Sequence, residues 1–147
     1  MSLRTVLFLC TGNYYRSRFA EEFFNHRAER DSLEWRAESR ALAIERGKNN
    51  VGPVSHLVLS ALEARGCVPQ GIGRMPQPCT TADLQKAGLV IALKDSEHRP
   101  LMLQRFPDWD ARTEFWFVDD IDLAPPDVAL AAIEWEVERL IERLQRK

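Results

Sequence analysis

The fold is decided by the stretch Val6-Leu7-Phe8-Leu9-Cys10-Thr11-Gly12-Asn13-Tyr14-Tyr15-Arg16-Ser17. Its first four residues form an apolar run, the length of one strand buried on both faces. Cys10 ends that run, and apolar residues at helical spacing begin just after Ser17. A cysteine therefore stands at the tip of a buried strand, and Arg16 stands at the mouth of the following helix. The loop between them, with Gly12 in it, can turn its backbone N–H groups inward. Amide donors, the positive end of a helix and a guanidinium fork make a cradle for a tetrahedral anion. The same field favours a thiolate, the form of cysteine that acts as a nucleophile. An oxyanion held beside activated sulfur implies phosphoryl transfer through a cysteinyl-phosphate. A cysteine at a strand end is by itself often a small buried hydrophobe. The combination Cys-x-Gly-Asn-x-x-Arg-Ser between strand and helix is what carries the reading.

The segment Cys10-Thr11-Gly12-Asn13-Tyr14-Tyr15-Arg16-Ser17 resembles the phosphate-binding loop of low-molecular-weight protein tyrosine phosphatases, a loop shared by related arsenate reductases. More loosely, the resemblance covers nearly the whole chain. It implies that Cys10 is the nucleophile and Arg16 the phosphate clamp, with Thr11, Gly12, Asn13, Tyr14, Tyr15 and Ser17 completing the anion site. It also implies that Asn13 holds the loop's shape, that Ser17 donates to the thiolate, and that Ser39 supports Asn13. The chain departs from the family where a second cysteine usually precedes the arginine. Tyr15 stands there, so a protective disulfide cannot form at that site.

Outward from this loop, the rest of the chain reads as one α/β domain over residues 1–147. A hydrophobic content of 45% and a charged content of 29% belong to an ordinary globular chain rather than a disordered one. A net charge of −2 gives no argument for nucleic acid as a partner. No apolar run approaches the roughly 20 residues that span a bilayer, so no membrane association is expected. The N-terminus carries no cleavable apolar segment, which points to the cytoplasm. Cys10, Cys67 and Cys79 are odd in number and lack metal-ligand spacing, as fits a reduced compartment and no metal or other cofactor.

Phe19, Ala20, Phe23 and Phe24 predict an amphipathic helix over 17–30, with Arg18, Glu21, Glu22 and Asn25 on its polar side. A short strand is expected over 33–38, a polar irregular loop over 43–52, and a second helix from Pro53 to the Arg65-Gly66 stop. After a Gly/Pro-rich loop, Thr80 or Thr81 caps a helix, and 87–93 is a buried strand. A short helix capped by Asp95 or Ser96 runs to about residue 106. The aromatic segment 114–118 is a further strand, and a long helix runs from Val128 to Leu144. Strands separated by helices predict three layers: a central parallel sheet of about four strands, helices on both faces, and the phosphate-binding loop after the first strand. Function in such sheets lies at the carboxyl ends of the strands, where Cys10, Ser39, Asp95 and Asp119/Asp120 fall.

A cysteinyl-phosphate mechanism needs a proton for the leaving oxygen, and a carboxylic acid on a loop over the site supplies it. Asp119, Asp120 and Asp122 are the candidates, and crowding of like charge favours one of them holding a proton. In the resembled family the acid sits in an Asp-Pro pair. Asp120 matches best, with Ile121 in the proline's place; Asp119 is second. The tyrosines that follow in the family are absent here, and Tyr14 and Tyr15 are candidates for an aromatic wall instead.

The expected function is a phosphomonoester hydrolase, a protein tyrosine phosphatase by resemblance, acting on a phosphorylated protein or a small aryl phosphate. Inorganic phosphate and other oxyanions are expected as product-like ligands. Two alternatives stand beside it. Arsenate reduction needs relay thiols, for which Cys67 and Cys79 are the only candidates. A catalytically weak phosphate- or phosphoprotein-binding module is motivated by the missing Asp-Pro.

Overall fold

The computed structural model describes residues 3–121 and 123–146; Asp122, the third candidate acid, lies outside the described residues. Four strands form one all-parallel sheet in the order β2-β1-β3-β4. They are β1 (Arg4–Cys10), β2 (Trp35–Ala41), β3 (Leu89–Ala92) and β4 (Thr113–Phe115). The helices are α1 (Arg16–Arg30), α2 (His56–Ala64), α3 (Thr81–Lys86), α4 (Asp95–Arg105) and α5 (Pro126–Gln145).

Alternation along β1 divides the core. Val6 and Phe8 point to a cluster with Phe19, Phe24, Val58, Leu62, Ile133 and Val137 from α1, α2 and α5. Leu7 and Leu9 point to a second cluster with Leu84, Leu101 and Met102 from α3 and α4. With both faces covered, a period-two strand reads in sequence as an unbroken apolar run.

Several element boundaries differ from the sequence expectation. β2 starts later and runs further, because the N–H of Leu33 still donates to Ala28 at the end of α1, 2.8 Å away. The loop 43–52 contains a short 3₁₀ turn, Ile44–Gly47. α2 begins at His56 rather than Pro53, because Ser55 is the cap and accepts from the N–H of Leu57 at 3.2 Å. α3 has a reciprocal capping box between Thr80 and Asp83. α4 corrects the cap expected there: Lys94 is the N-cap, and Asp95 is the first helical residue. β4 is shorter than 114–118, yet the N–H groups of Trp116 and Val118 still reach Ala92 and Leu93 of the neighbouring segment at 2.9 and 2.8 Å. Trp116 and Val118 face inward and Phe117 faces solvent, so the alternation outlasts the ladder.

Candidate active site

Cys10 is the last residue of β1 and Arg16 the first of α1, so the five residues between them cross the carboxyl edge of the sheet. Asn13 turns this loop with a φ of 53°, a left-handed conformation that Asn tolerates better than most residues. Its fully buried amide is saturated. Nδ2 donates to Ser17 Oγ and Ser39 Oγ, each at 2.9 Å, and Oδ1 accepts from Arg74 Nη1 at 3.1 Å and the Gln77 N–H at 3.2 Å. Ser17 Oγ, which accepts from Asn13, also lies 2.9 Å from Cys10 Sγ, where its hydroxyl can donate to a thiolate.

Beneath Asn13, Ser39 Oγ donates to Glu21 Oε1 at 2.5 Å and accepts from Arg74 Nη2 at 3.1 Å. Arg74 Nη2 also pairs with Glu21 Oε1 at 3.2 Å. Burial pushes the Glu21 carboxyl up, with Ser39 and Arg74 opposing. The polar side of α1 is thus largely buried. Arg18 donates to the carbonyls of Pro53 and Gly71 at 2.8 Å, and Glu22 accepts from the N–H groups of Gln70 and Gly71. These side chains tie two loops to the helix that carries Arg16, instead of facing solvent as their sequence spacing implies.

Arg16 is 2% exposed and its fork is held from behind. Nη1 donates to the Val118 carbonyl at 3.0 Å and Nη2 to Glu97 Oε2 at 2.7 Å. Burial works against the guanidinium charge, but the bond to Glu97 and the charges of Cys10 and Asp120 outweigh it, so its pKa is raised. Glu97 Oε2 gathers three donors: Arg16, Thr11 Oγ1 and His98 Nε2, the last at 3.2 Å. Burial alone raises the Glu97 carboxyl, but the bonds from His98, Arg16 and Thr11 hold it far below the usual carboxylate range. His98 is fully buried, which lowers its pKa and keeps it neutral. Its Nδ1 accepts from the Lys94 N–H at 2.9 Å, so the proton resides on Nε2, where it serves Glu97 and Thr11, 3.1 Å away.

The candidate acids separate cleanly. Asp119 is held by the ammonium of Lys94. Asp120 lines the cavity above the loop, with Oδ2 3.5 Å from Arg16 Nη2. That cavity has a volume of about 370 Å³. Its floor is Cys10, Thr11, Gly12 and Arg16, and its walls include Tyr14, Tyr15, Arg46, Asn50, His56, Leu57 and Ile121. Tyr14 is fixed by donating to the Val51 carbonyl at 2.7 Å. Asp95, although at the end of a strand, turns away and pairs with Arg99 at 2.9 Å.

Cys67 and Cys79 are buried on opposite sides of the sheet and neither lines the cavity. Burial raises the Cys67 thiol and pushes the Cys79 thiol up to about 12. Neither is placed to relay electrons from Cys10. Among the described residues, no group of three or more His, Cys, Asp or Glu side chains could hold a metal ion, and no helix is long and apolar enough to cross a membrane.

The residues missed by sequence reasoning are Glu97, His98, Arg74 and Glu21. A signal existed for the first two, since they follow the buried strand β3 by one helical turn, at the functional edge of a parallel sheet. Arg74 gave none: it lies in a Gly/Pro-rich loop far from Asn13 in sequence.

A family model described as low molecular weight phosphotyrosine protein phosphatase matches residues 5–147. A solved low-molecular-weight protein tyrosine phosphatase from T. tengcongensis superposes with a TM-score of 0.79 at 24% identity, over 95% of this chain and 99% of that one. YfkJ from Bacillus subtilis gives 0.84 at 21% identity, over 99% and 97% of the two chains. Vibrio vulnificus Wzb, solved in complex with benzylphosphonate, gives 0.80 at 14% identity, over 97% and 99%. No curated protein matches the chain.

Proposed function

Because the chain belongs to the low-molecular-weight phosphotyrosine protein phosphatase family, and is a phosphatase on that ground, we propose that it hydrolyses phosphomonoesters with Cys10 as nucleophile, Arg16 as clamp and Asp120 as general acid. The observation that carries this assignment is the meeting of these three side chains in one cavity at the carboxyl edge of the sheet. Cys10 Sγ attacks phosphorus in line with the leaving oxygen. Arg16 and the loop amides at the start of α1 stabilise the equatorial oxygens, whose charge has fixed donors waiting for it. Asp120 gives its proton to the leaving oxygen, then as a carboxylate takes one from the water that cleaves the S–P bond. Asp119 is the weaker candidate because it is tied to Lys94 and does not line the cavity.

The substrate is an aryl phosphate or the phosphotyrosine of a protein. Tyr14, Tyr15, Leu57 and Ile121 give the cavity wall the apolar surface an aryl ring needs, and Wzb takes the aryl ligand benzylphosphonate in the same fold. Arg46 at the rim adds attraction for the dianion.

The test is hydrolysis of an aryl phosphate across pH without added metal. Cys10→Ser abolishes turnover, and Asp120→Ala slows poor leaving groups selectively while Asp119→Ala does not. A silent Asp120→Ala with a defective Asp119→Ala reverses the assignment of the acid. Phosphate binding without any turnover by the wild type replaces the enzyme with a binding module.

A further inference from the structure

The hydroxyl of Tyr15 is the one side-chain oxygen among the described residues that is closed off from solvent without a hydrogen-bond partner. Tyr15 is 6% exposed and packs in the apolar cluster on the α1 side of the sheet. It also forms part of the wall of the cavity that holds Cys10, Arg16 and Asp120. Its backbone carbonyl accepts the Phe19 N–H at 3.1 Å, which pins the residue at the entrance of α1. An orphaned buried hydroxyl destabilises the protein that carries it, and phenylalanine would fill the same space without one. The hydroxyl therefore calls for a use outside the ligand-free state.

The cavity shows where that use lies, because Tyr15, Arg16 and Asp120 all line it. Burial foremost, then the Asp120 carboxyl, raise the phenol's pKa; Asp127, in the first turn of α5, adds to this and Arg16 opposes it. The other titratable and charged groups here are Cys10 at the end of β1, the Glu97–His98 pair behind Arg16, and Tyr14, Arg46 and His56 on the cavity wall. A phenol so placed keeps its proton and acts as a donor. Asp120 in the free protein leans on Arg16 Nη2. A phosphoryl group entering the cradle competes for that guanidinium, and the carboxyl then needs a different partner.

We infer that Tyr15 is a positioning residue for the general acid: when a phosphoryl group engages Arg16, the Tyr15 hydroxyl donates to one carboxyl oxygen of Asp120 while the other carries the catalytic proton. The inference rests on Asp120 being the acid. As the Cys10 S–P bond forms and the P–O bond breaks, the Asp120 proton passes to the leaving oxygen. Tyr15 keeps its own proton and stabilises the carboxylate that results. In the second half-reaction water attacks phosphorus, the S–P bond returns its electron pair to Cys10, and the water's proton goes back to Asp120. Tyr15 is again only a donor.

The experiment compares wild type, Tyr15→Phe, Asp120→Asn, their double variant and Asp127→Asn on aryl phosphates of graded leaving-group pKa. Thermal unfolding of each ligand-free protein is measured alongside. Tyr15→Phe is expected to unfold no earlier than wild type, since it deletes only an unpaired hydroxyl. Its kcat falls about tenfold for the poorest leaving groups and less than about twofold for the best, as loss of a hydrogen bond to developing charge requires. Inhibition by inorganic phosphate is unchanged. The alkaline limb of the kcat profile moves to higher pH, because a carboxyl deprived of a donor holds its proton longer. In the Asp120→Asn background, Tyr15→Phe has no further effect.

Earlier unfolding, a rate loss equal across all leaving groups, full additivity with Asp120→Asn, or the same defect in Asp127→Asn each overturns the inference. A defective Asp120→Asn beside a silent Tyr15→Phe overturns it alone. An Asp120→Asn that is itself silent overturns the assignment of the acid with it.

Discussion

Replacing Glu97 by glutamine removes one negative charge and almost no volume. In the wild type, Arg16, Thr11 and His98 all aim a donor at Glu97 Oε2. A hydrogen bond to a charged acceptor contributes about 1.5–3 kcal/mol and one to a neutral acceptor about 0.5–1.5 kcal/mol. Glu97 keeps 27% of its side chain exposed, so solvent screens part of this difference. A loss of about 2 kcal/mol at neutral pH is the expected result. The folded-state pKa of Glu97 is depressed from 4.5, so its stabilisation is complete above the unfolded value, shrinks as pH falls below it and is fully lost only below the folded one. About 0.8 kcal/mol is gone by pH 4, where the unfolded carboxyl is already mostly protonated, and the loss continues below that. Urea titrations of wild type and Glu97→Gln at pH 7, 4 and 3 measure this directly. The gap between the two proteins should be widest at pH 7, narrower at pH 4 and narrower again at pH 3. At pH 7 the variant should also lose about tenfold in kcat/KM for an aryl phosphate, because the fork of Arg16 loses its rear anchor. A gap of the same size at all three pH values, or none at pH 7, refutes the reasoning.

Two further outcomes test other parts of the site. Asn13→Ala loses all four side-chain hydrogen bonds and forces a left-handed alanine, and is expected to cost about 2–4 kcal/mol in urea titration. Asn13→Gly loses the same bonds without the strain, and should recover about 1 kcal/mol of that loss; equal losses contradict the strain argument. In native protein at neutral pH, iodoacetamide should modify Cys10 first and inorganic phosphate should protect it. Cys10 opens onto the cavity, whereas Cys67 and Cys79 lie in the core with raised thiols, and their prompt modification contradicts the structure.

The architecture was legible because β1 announces itself twice. The run from Val6 to Leu9 reads as a strand covered on both faces, and Cys10 to Ser17 reads as the turn into a helix. Boundaries were legible only where local chemistry sets them. The Thr80 cap of α3 lies at a position expected from sequence, whereas the start of α4 was displaced because Asp95 engages Arg99 instead of capping. The rear of the site was not legible, because its partners are distant in sequence: Arg16 meets Glu97, and Asn13 meets Arg74. Nothing in a charged residue's neighbours tells that it will be buried against a partner about eighty positions away. Arg18, Glu21 and Glu22 misled for the same reason. Their spacing marks a solvated face until two loops fold over it.

The most direct test of the central claim is rapid-quench reaction of the wild type and Cys10→Ser with an aryl phosphate, followed by mass analysis of the quenched protein. The account predicts a burst of phenol approaching one per wild-type chain, with a phosphoryl group on Cys10, and neither burst nor turnover in Cys10→Ser. Turnover that survives in Cys10→Ser, or wild-type turnover with no phosphorylated Cys10 at any quench time, contradicts it.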